Sequence, residues 1–457
     1  MSYKNLEELI QAAGNPVTLL RNAQSGPYIY PVVPSEYSNW RDEQRAWRET
    51  CIFFNQSYHM TDMYMEGPDA LKLLATLGVN SFKEFTPNKA KQFVACNHEG
   101  YVIGDVILFH LEENRFNLVG RPAVHNWVQY HCETGRYDIR LERDERTVAR
   151  PGPVVRKGYR YQVQGPNALQ VLEKATGKPV PQVKFFNMTE FTIAGRRVRA
   201  LRHGMVGQPG FELFGPWEEG ERIMAAIVEA GRDFGMRLSG ARTYSSNTLE
   251  SGWIPSPIPA IYAGDKMKPY RQWLPANGFE AMASLGGSFY SNDIRDYYFT
   301  PYDLGYGPVV KFDHDFIGRE ALEKISANPR RKKVTLALNG EDVTRAIGTM
   351  FQQGPRAKYF DFPSAVYATL PYDKVLKDDK IIGVSTWCGY SANERSMLTL
   401  AVVDVEYSEP GTQVTFVWGE EDGGSSKPTV ERHVQVQIRA TVGPVPYSEP
   451  ARMAYRK

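Results

Sequence analysis

The sequence predicts a mixed α/β (α+β) protein of several domains whose last third is rich in strands. Its 457 residues are too many for one ordinary hydrophobic core and suggest two to four domains. Apolar residues recur with helical spacing in some segments and with strand spacing in others, so helices and strands alternate along the chain. Strict alternation at Val434, Val436 and Ile438 predicts that the chain ends in a β-rich domain.

Three segments have the apolar spacing of amphipathic helices. The first is short and contains Leu6, Leu9 and Ile10, and the other two are 70–77 and 223–230. Strand-like runs lie between and after them, at 101–109, 116–119, 197–201, 334–338, 402–405 and 414–418. The Gly-rich segment from Gly419 to Pro428 predicts a hairpin loop between the last two strands.

A short phrase occurs twice, about a hundred residues apart. Gly67-Pro68-Asp69-Ala70-Leu71 is echoed by Gly165-Pro166-Asn167-Ala168-Leu169. In each copy a strand-like approach leads to a Gly-Pro turn, a helix-capping Asp or Asn and an apolar helix face. The spacing indicates duplicated α/β modules rather than a solenoid, whose repeats are much shorter.

These observations predict three domains. Residues 1–150 form an N-terminal α/β module, residues 151–328 a second α/β module and residues 329–457 a C-terminal β-rich domain. The last boundary is placed near Asn328, where Asn-Pro followed by four basic residues is typical of a linker.

Charge and composition exclude several classes of function. Lys+Arg is 54 against Asp+Glu 52, so there is no overall basic field to hold nucleic acid or an anionic membrane. The run from Arg140 to Arg146 mixes both signs of charge and is interpreted as a solvated face. The N-terminal segment lacks the apolar core of a signal peptide, and no run approaches the roughly 18 apolar residues of a membrane span.

The four cysteines, Cys51, Cys96, Cys132 and Cys388, are scattered and include no Cys-x-x-Cys pair. This usage is typical of reduced thiols and predicts a cytoplasmic protein without a disulfide or metal framework. His125, His131 and Cys132 fit no usual spacing of metal ligands, so no metal is expected. No obligate protein partner is evident.

Common catalytic motifs are absent from the sequence. There is no Walker A loop, no Gly-x-Gly-x-x-Gly after a strand, no His-Glu-x-x-His and no Gly-x-Ser-x-Gly. Nucleotide-binding P-loops, a dinucleotide fold, zinc peptidases and ordinary serine hydrolases therefore lack support.

Two longer segments carry a specific resemblance. The stretches from Thr300 to Pro308 and from Lys311 to Leu322 resemble the Thr-Pro-x-Glu-x-Gly-Leu-Gly and Asp-Phe-Ile-Gly-[Lys/Arg]-Glu-Ala-Leu segments of the aminomethyltransferase family, the T-protein of glycine cleavage. Gln164-Gly165-Pro166 and Gly210-Phe211-Glu212 match that family's Gln-Gly-Pro and Gly-[Phe/Tyr]-Glu motifs. The motifs occur in the family's order over nearly the whole chain.

Within that superfamily the chain looks more like the tetrahydrofolate-dependent aryl O-demethylases. The residues that carry this likeness are Tyr30-Pro31, Gln56 with His59, Gly120-Arg121 and the segment from Tyr244 to Trp253. The resemblance implies a three-domain fold around a central folate channel, with the first two modules interleaved there. It also implies tetrahydrofolate as cofactor and a vanillate, syringate or 3-O-methylgallate type of acid as substrate.

One departure separates the two groups. T-proteins carry paired aspartates in a Gly-Gly-x-Ile-Asp-Asp type of segment, whereas this chain has Gly104-Asp105 at that place. A carboxylate at this place would stabilise a charged methylamine donor. Because this chain lacks that carboxylate, the sequence favours a neutral ether as the donor. Two alternatives stay open: a folate-dependent enzyme acting on a sulfonium or amine donor, and a folate-binding relative without turnover.

Tyr244 is the predicted catalytic residue. Methyl transfer from an aryl ether requires alignment of nucleophile, methyl carbon and oxygen, and stabilisation of the charge that develops on that oxygen. A phenol with an ordinary pKa of about 10 stays protonated at neutral pH and can donate to the departing oxygen.

The resemblance implies that four further residues bind the substrate. Arg121 follows a strand-like run and precedes Pro122, and its guanidinium can pair bidentately with a benzoate carboxylate; a salt bridge within the protein is the structural alternative. His59, Gln56 and Tyr30 are expected to contact the hydroxyl group and ring of the substrate.

Three residues are predicted to bind the folate. Glu212 resembles the family glutamate that accepts paired N–H bonds from the pterin edge. Gln162 lies two residues before Gln164, on the same face of a strand, and resembles a family folate ligand. Trp253 is expected to pack against the folate, with simple core packing as its alternative.

Overall fold

The computed structural model describes residues 3–28, 30–147, 154–255, 257–424 and 426–453. The helices of these ranges are α1 (Leu6–Ala13), α2 (Pro16–Arg21), α3 (Trp40–Glu49), α4 (Ala70–Leu77), α5 (Pro122–Thr134), α6 (Ala168–Thr176), α7 (Gly220–Gly231), α8 (Ala241–Ser251), α9 (Lys268–Trp273), α10 (Arg319–Ser326), α11 (Gly340–Gly348) and α12 (Glu449–Met453).

The strands are β1 (Cys51–Asn55), β2 (Thr61–Glu66), β3 (Lys89–Cys96), β4 (Val102–Glu112), β5 (Arg115–Gly120), β6 (Arg140–Asp144), β7 (Gly158–Gln164), β8 (Met188–Ile193), β9 (Arg196–Arg202), β10 (Gly210–Pro216), β11 (Met236–Leu238), β12 (Leu285–Gly286), β13 (Arg331–Leu338), β14 (Leu370–Pro371), β15 (Asp373–Lys377), β16 (Lys380–Ser391), β17 (Ser396–Asp404), β18 (Gln413–Trp418) and β19 (Val436–Gly443). Each helix and strand predicted from apolar spacing is found.

The first half of the chain forms two sheets. One has six strands in the order β11-β1-β7-β10-β9-β8, and the other has five in the order β3-β4-β5-β2-β6. A cluster of buried side chains joins them: Ala90, Phe109 and Val119 of the five-stranded sheet pack with Met188 and Leu201 of the six-stranded sheet. The two sheets therefore face each other across a shared interior.

Side-chain alternation decides what each face of the six-stranded sheet does. Phe53, Val163 and Phe211 point to one face, where they pack against Ile223 and Ile227 of α7. Their neighbours along the strands point to the opposite face, toward the other sheet. On that face the register aligns Gln162 of β7 with Glu212 of β10.

The repeated Gly-Pro phrase adopts the same geometry twice. Gly67 follows β2 with φ +148, and Gly165 follows β7 with φ +134, a region that side chains other than glycine rarely adopt. A Cβ at Gly67 would lie 2.2 Å from the carbonyl oxygen of Asp138, and one at Gly165 would lie 2.7 Å from that of Thr50. The phrase marks structurally equivalent strand–turn–helix units.

The capping part of that prediction is wrong. Asp69 and Asn167 precede α4 and α6, but neither side chain accepts a hydrogen bond from its helix. The Asp69 carboxylate accepts from the backbone N–H of Asp138, and the Asn167 amide donates to the carbonyl of Phe234. Both side chains instead connect the turn to a neighbouring segment.

The C-terminal strands close into a barrel in the order β13-β17-β16-β15-β18-β19. Its interior is a separate core that includes Leu336, Val375, Phe416 and Ile438. The barrel also packs on α8, where the indole N–H of Trp387 donates to the carbonyl of Ser245 at 3.2 Å. The predicted α/β class and β-rich C-terminal domain are confirmed, whereas the boundaries near 150 and 328 stay predictions.

Along the described ranges, no helix combines the length and the apolar character needed to cross a lipid bilayer.

Candidate active site

A cavity of about 1440 Å³ opens into the interior between the two sheets and α8. Side chains of β4, β5, β10 and α8 line it, together with the segment from Ser25 to Tyr28. The wall includes seven of the eight residues predicted for the site: Tyr30, Gln56, His59, Arg121, Glu212, Tyr244 and Trp253. The eighth, Gln162, is fully buried and is not part of the wall.

Tyr244 sits in the first turn of α8, a helix anchored firmly at its start. The Glu43 carboxylate accepts hydrogen bonds from the backbone N–H of Gly240 at 2.8 Å and from the hydroxyl of Thr243 at 2.5 Å. The Tyr244 hydroxyl lies 3.1 Å from Nε2 of His59 and 3.5 Å from Nε2 of Gln56. A rigid helix thus holds the phenol against two polar groups of the loop after β1.

Burial keeps this phenol and imidazole uncharged. It raises the pKa of Tyr244 far above its ordinary value of 10.0, and the neighbouring Tyr28 adds to the effect. The pKa of His59 falls well below 6.5, first because the ring is buried and then because Arg121 and other guanidinium groups oppose a second positive charge. At neutral pH the pair therefore consists of a protonated phenol and a neutral imidazole.

Aromatic rings surround the phenol. The ring centroid of Tyr30 lies 4.1 Å from that of Tyr244 and 4.2 Å from that of His59, while Phe54 meets Tyr244 edge-on at 5.5 Å. Within the described ranges, the hydroxyl of Tyr30, Oε1 of Gln56 and Nδ1 of His59 are buried without a hydrogen-bond partner. Unsatisfied polar atoms on an aromatic wall suit a flat ligand that carries oxygen substituents.

Arg121 is the residue before α5, and Pro122 takes the first helical position. Its guanidinium carbon lies 4.8 Å from the ring centroid of Tyr28. Burial lowers the pKa of Arg121 to about 10, with a further contribution from Arg146, so the group stays charged at neutral pH. The part of the chain that the structure describes contains no salt-bridge partner for it, which leaves the charge available for a ligand.

Glu212 lies on the wall at the six-stranded sheet, opposite Gln162 in the register. The guanidinium of Arg160 donates to Oε1 of Glu212, and Nδ1 of His203 lies 3.6 Å from Oε2. Burial alone would raise the pKa of this carboxyl group, but Arg160 and His203 outweigh it and hold the pKa below its usual value. Glu212 is therefore an ionised acceptor whose second oxygen is not fully used.

Gln162 adds a further acceptor behind Glu212. Its Nε2 donates to the carbonyl of His203 at 2.8 Å, whereas Oε1 is buried and has no partner among the described residues. An ionised carboxylate and an unpaired amide oxygen on one sheet face can accept several N–H bonds from an aminopyrimidine ring.

Trp253 lies just beyond the end of α8 and is 38% exposed. Its indole N–H donates to Asp105 at 3.2 Å and to the hydroxyl of Tyr306 at 2.9 Å, and that hydroxyl donates to Asp105 at 3.1 Å. Burial raises the pKa of Asp105, although the three donors around it, which include Gln92, oppose the rise. Trp253 is thus a fixed, partly open wall of the cavity rather than a core residue.

Several wall residues were not found from the sequence. The interpretation of Arg140–Arg146 as a solvated face is wrong in part, because Arg143, Glu145 and Arg146 line the cavity. The segment begins with the edge strand β6 and continues just beyond it. Pairing of β6 with β2 brings the C-terminal end of the segment to the cavity. Tyr28 and Met205 also line the wall from irregular segments that have no periodicity to reveal them.

The described residues contain no group of three or more His, Cys, Asp or Glu side chains placed to hold a metal ion.

Comparison with known proteins identifies the family of the chain. Residues 19–256 match the family described as the GCVT N-terminal domain. Syringate O-demethylase of Sphingobium sp. (strain NBRC 103272 / SYK-6) is 55% identical over 99% of this chain and 98% of its own length. Sesamin methylene transferase of Sinomonas sp. (strain No.22) is 29% identical over 91% of this chain and 90% of its own length.

Among solved structures, the glycine cleavage system aminomethyltransferase T from Bartonella henselae is similar, with a TM-score of 0.60 and 19% sequence identity. The likeness covers 98% of both chains. It confirms the predicted aminomethyltransferase-type fold.

Proposed function

The chain belongs to the GCVT family, and on that premise we propose that it transfers the methyl group of a methoxylated aromatic acid to tetrahydrofolate. The products are 5-methyltetrahydrofolate and a catechol-type acid. The observation that carries the proposal is one cavity that holds a protonated phenol, Tyr244, and an unpaired guanidinium, Arg121. Syringate, vanillate and 3-O-methylgallate present an ether oxygen and a carboxylate of the kinds these two groups bind.

In this scheme Tyr244 acts on the ether oxygen. When bound, tetrahydrofolate supplies N5 as the nucleophile for the methyl carbon. As the carbon–oxygen bond breaks, its electron pair moves to the aryl oxygen, and the Tyr244 hydroxyl donates a hydrogen bond or its proton there. The proton that N5 would give up on methylation balances the one that the aryl oxygen gains, so Tyr244 ends the cycle protonated. A buried phenol suits the task because it remains protonated, and the surrounding aromatic rings exclude competing water.

His59, Gln56 and Tyr30 orient the substrate around that hydroxyl. Neutral His59 touches the Tyr244 hydroxyl at 3.1 Å and has an unpaired Nδ1 to offer the substrate. Tyr30 supplies a ring face and an unpaired hydroxyl. Holding the aromatic ring between such groups keeps the methyl carbon in line for transfer.

The residues at the sheet fit a folate. Glu212 would accept N–H groups of the pterin edge, and Trp253 would pack along the ligand. Gln162 would support this end of the site from behind Glu212, through its hydrogen bond to the carbonyl of His203. The cavity of about 1440 Å³ exceeds the roughly 300–1000 Å³ of an ordinary single-ligand pocket, which leaves room for a cofactor and an aromatic acid together.

A cationic donor is the main alternative. Gly104 stands where T-proteins have the first of two aspartates, and the wall presents Arg121 and Arg146 instead. Two positive charges repel a sulfonium or ammonium group and attract a benzoate. The geometry therefore favours the acid over the amine or sulfonium.

We also propose that the protein works in the cytoplasm. Its four cysteines are unpaired and three of them are buried, which suits a compartment that keeps thiols reduced.

The test is an anaerobic incubation of purified protein with tetrahydrofolate and either syringate or vanillate, analysed by chromatography. The proposal predicts a demethylated acid and 5-methyltetrahydrofolate in equal amounts. Parallel reactions with a methylamine-type and a sulfonium donor should stay unreactive. If only those donors react, the enzyme acts on an amine or sulfonium donor rather than on an aryl ether. Folate binding without any product would favour a folate-binding relative without turnover.

A further inference from the structure

Two guanidinium groups lie close to one aromatic ring on the cavity wall. The guanidinium carbon of Arg121 lies 4.8 Å from the ring centroid of Tyr28, and that of Arg146 lies 5.1 Å from the same centroid. Arg146 also lies 5.3 Å from the ring centroid of Phe279. Both residues line the cavity. We refer to Arg121 and Arg146 as the arginine pair.

The charge of the arginine pair is offset only in part by the described residues around it, of which Asp105 acts on Arg121. Neither guanidinium forms a salt bridge within those ranges, and Nε of Arg146 is buried without a hydrogen-bond partner there. The two nearby acids on the wall are already engaged. Glu145 pairs with Arg143 at 2.6 Å and accepts from the hydroxyl of Thr61 at 3.0 Å, while Asp105 accepts from Trp253 and Tyr306.

Placing two like charges together in a partly buried wall is costly unless an anion joins them. The mutual repulsion is visible at Arg121, whose pKa burial and Arg146 both lower. A carboxylate has two oxygens, and two guanidinium groups can donate to both of them at once. The cost is thereby removed only when an anionic ligand is present.

We propose that Arg146 is a second carboxylate-binding residue, which together with Arg121 holds the acid group of the aromatic substrate over the Tyr28 ring. This inference rests on the proposed function and adds a specificity-determining residue to it. The arginine pair makes the site selective for aromatic acids over the same ring without a carboxylate. Tyr28 also donates to the carbonyl of His59, which connects the carboxylate end of the site with the loop that carries His59.

The test compares Arg146→Gln with the wild type in two binding titrations, one with syringate and one with 2,6-dimethoxyphenol, the same ring without the acid. Losing one charge-assisted contact should weaken syringate binding by about tenfold or more and leave 2,6-dimethoxyphenol within about twofold. Arg146→Lys keeps the charge without the fork and should restore part of the loss. Arg121→Ala should likewise weaken the binding of syringate more than that of 2,6-dimethoxyphenol.

Arg140→Gln is the matched control, since Arg140 is an exposed residue of the same segment, at the start of β6. It should bind both compounds as the wild type does. Equal losses on both compounds in Arg146→Gln, or no loss on syringate, would overturn the role of Arg146. If the wild type demethylates syringate in the same preparation, that outcome leaves the proposed function standing; a wild type that neither binds nor demethylates syringate overturns both.

Discussion

At the scale of single residues, burial sets the protonation states that the proposed chemistry needs. Tyr244 and His59 lie 3.1 Å apart, and burial moves their pKa values in opposite directions, upward for the phenol and downward for the imidazole. Both shifts favour the uncharged form. The pair is therefore in one protonation state over a wide range around neutral pH.

The first prediction concerns the phenol. Tyr244→Phe removes the only atom by which this side chain can reach the ether oxygen, so kcat should fall by about 10²–10⁴-fold with little change in KM. Steady-state kinetics with syringate measures both. Tyr372→Phe is the control, because Tyr372 is also buried but its hydroxyl accepts from the backbone N–H of Ile258. An unchanged kcat in Tyr244→Phe would remove the residue from the mechanism.

The second prediction concerns pH. The charge of Arg121 binds the acid, and its pKa is lowered to about 10, so that charge is present below this pH and lost as the pH rises through it. The value of kcat/KM for syringate should fall accordingly at high pH. The profile should be flat through about pH 6.5, because the pKa of His59 lies well below that value. A limb centred near 6.5 would show that a charged His59 takes part.

Sequence patterns revealed the residues that belong to recognisable motifs. The position of Tyr244 and Glu212 at the site could be predicted because each stands in a phrase that resembles a known family. Arg146 and Tyr28 could not, because Arg146 lies just beyond an edge strand in a run of mixed charge and Tyr28 lies in an irregular segment. Their common position depends on pairing between distant strands, which local spacing does not encode.

At the scale of elements, strand register positions the residues that we propose bind folate. Alternation along β7 predicts that Gln162 and Gln164 share a face, and the structure confirms it. That Glu212 of β10 stands opposite Gln162 follows from the antiparallel register, which the sequence alone does not show. One strand pair thereby delivers two acceptors to one face of the sheet.

The third prediction tests the repeated Gly-Pro unit. Gly165→Ala should lower the free energy of unfolding by about 3 kcal/mol or more, because φ is +134 and the new Cβ would lie 2.7 Å from the carbonyl oxygen of Thr50. Gly177→Ala is the control, since its φ of +69 is strained but nothing lies within 4 Å. It should cost about 1 kcal/mol.

The midpoint of urea unfolding, followed by circular dichroism, compares the two variants. Equal shifts would contradict the prediction. They would mean that the backbone near Thr50 moves to accept the new Cβ at no cost, so that the turn does not require glycine at position 165.

At the scale of the whole molecule, the site is assembled from distant parts of the chain. The wall of the cavity includes Tyr28 near the N-terminus, Glu212 from the second sheet and Trp387 from the barrel. The barrel also supports α8 from behind through the hydrogen bond of Trp387 to Ser245. The site therefore depends on regions that are far apart in the sequence.

The class and the elements were predictable because local signals are strong, with helical spacing in α4 and α7 and strict alternation in β19. The closure of the barrel and the interleaving of β1 with β7 and β11 were not predictable from spacing, because strand order is a property of long-range pairing. The expectation of a central channel came instead from the resemblance to a known family.

The measurement that tests the central claim most directly follows the methyl group itself. Syringate labelled isotopically in its methoxy carbons is incubated anaerobically with the protein and tetrahydrofolate, and the label is followed by nuclear magnetic resonance. We expect the label to leave the methoxy position and to appear in the N5-methyl group of 5-methyltetrahydrofolate, in an amount equal to that of the demethylated acid. Label released as methanol or formaldehyde, with none in the folate methyl group, would contradict it.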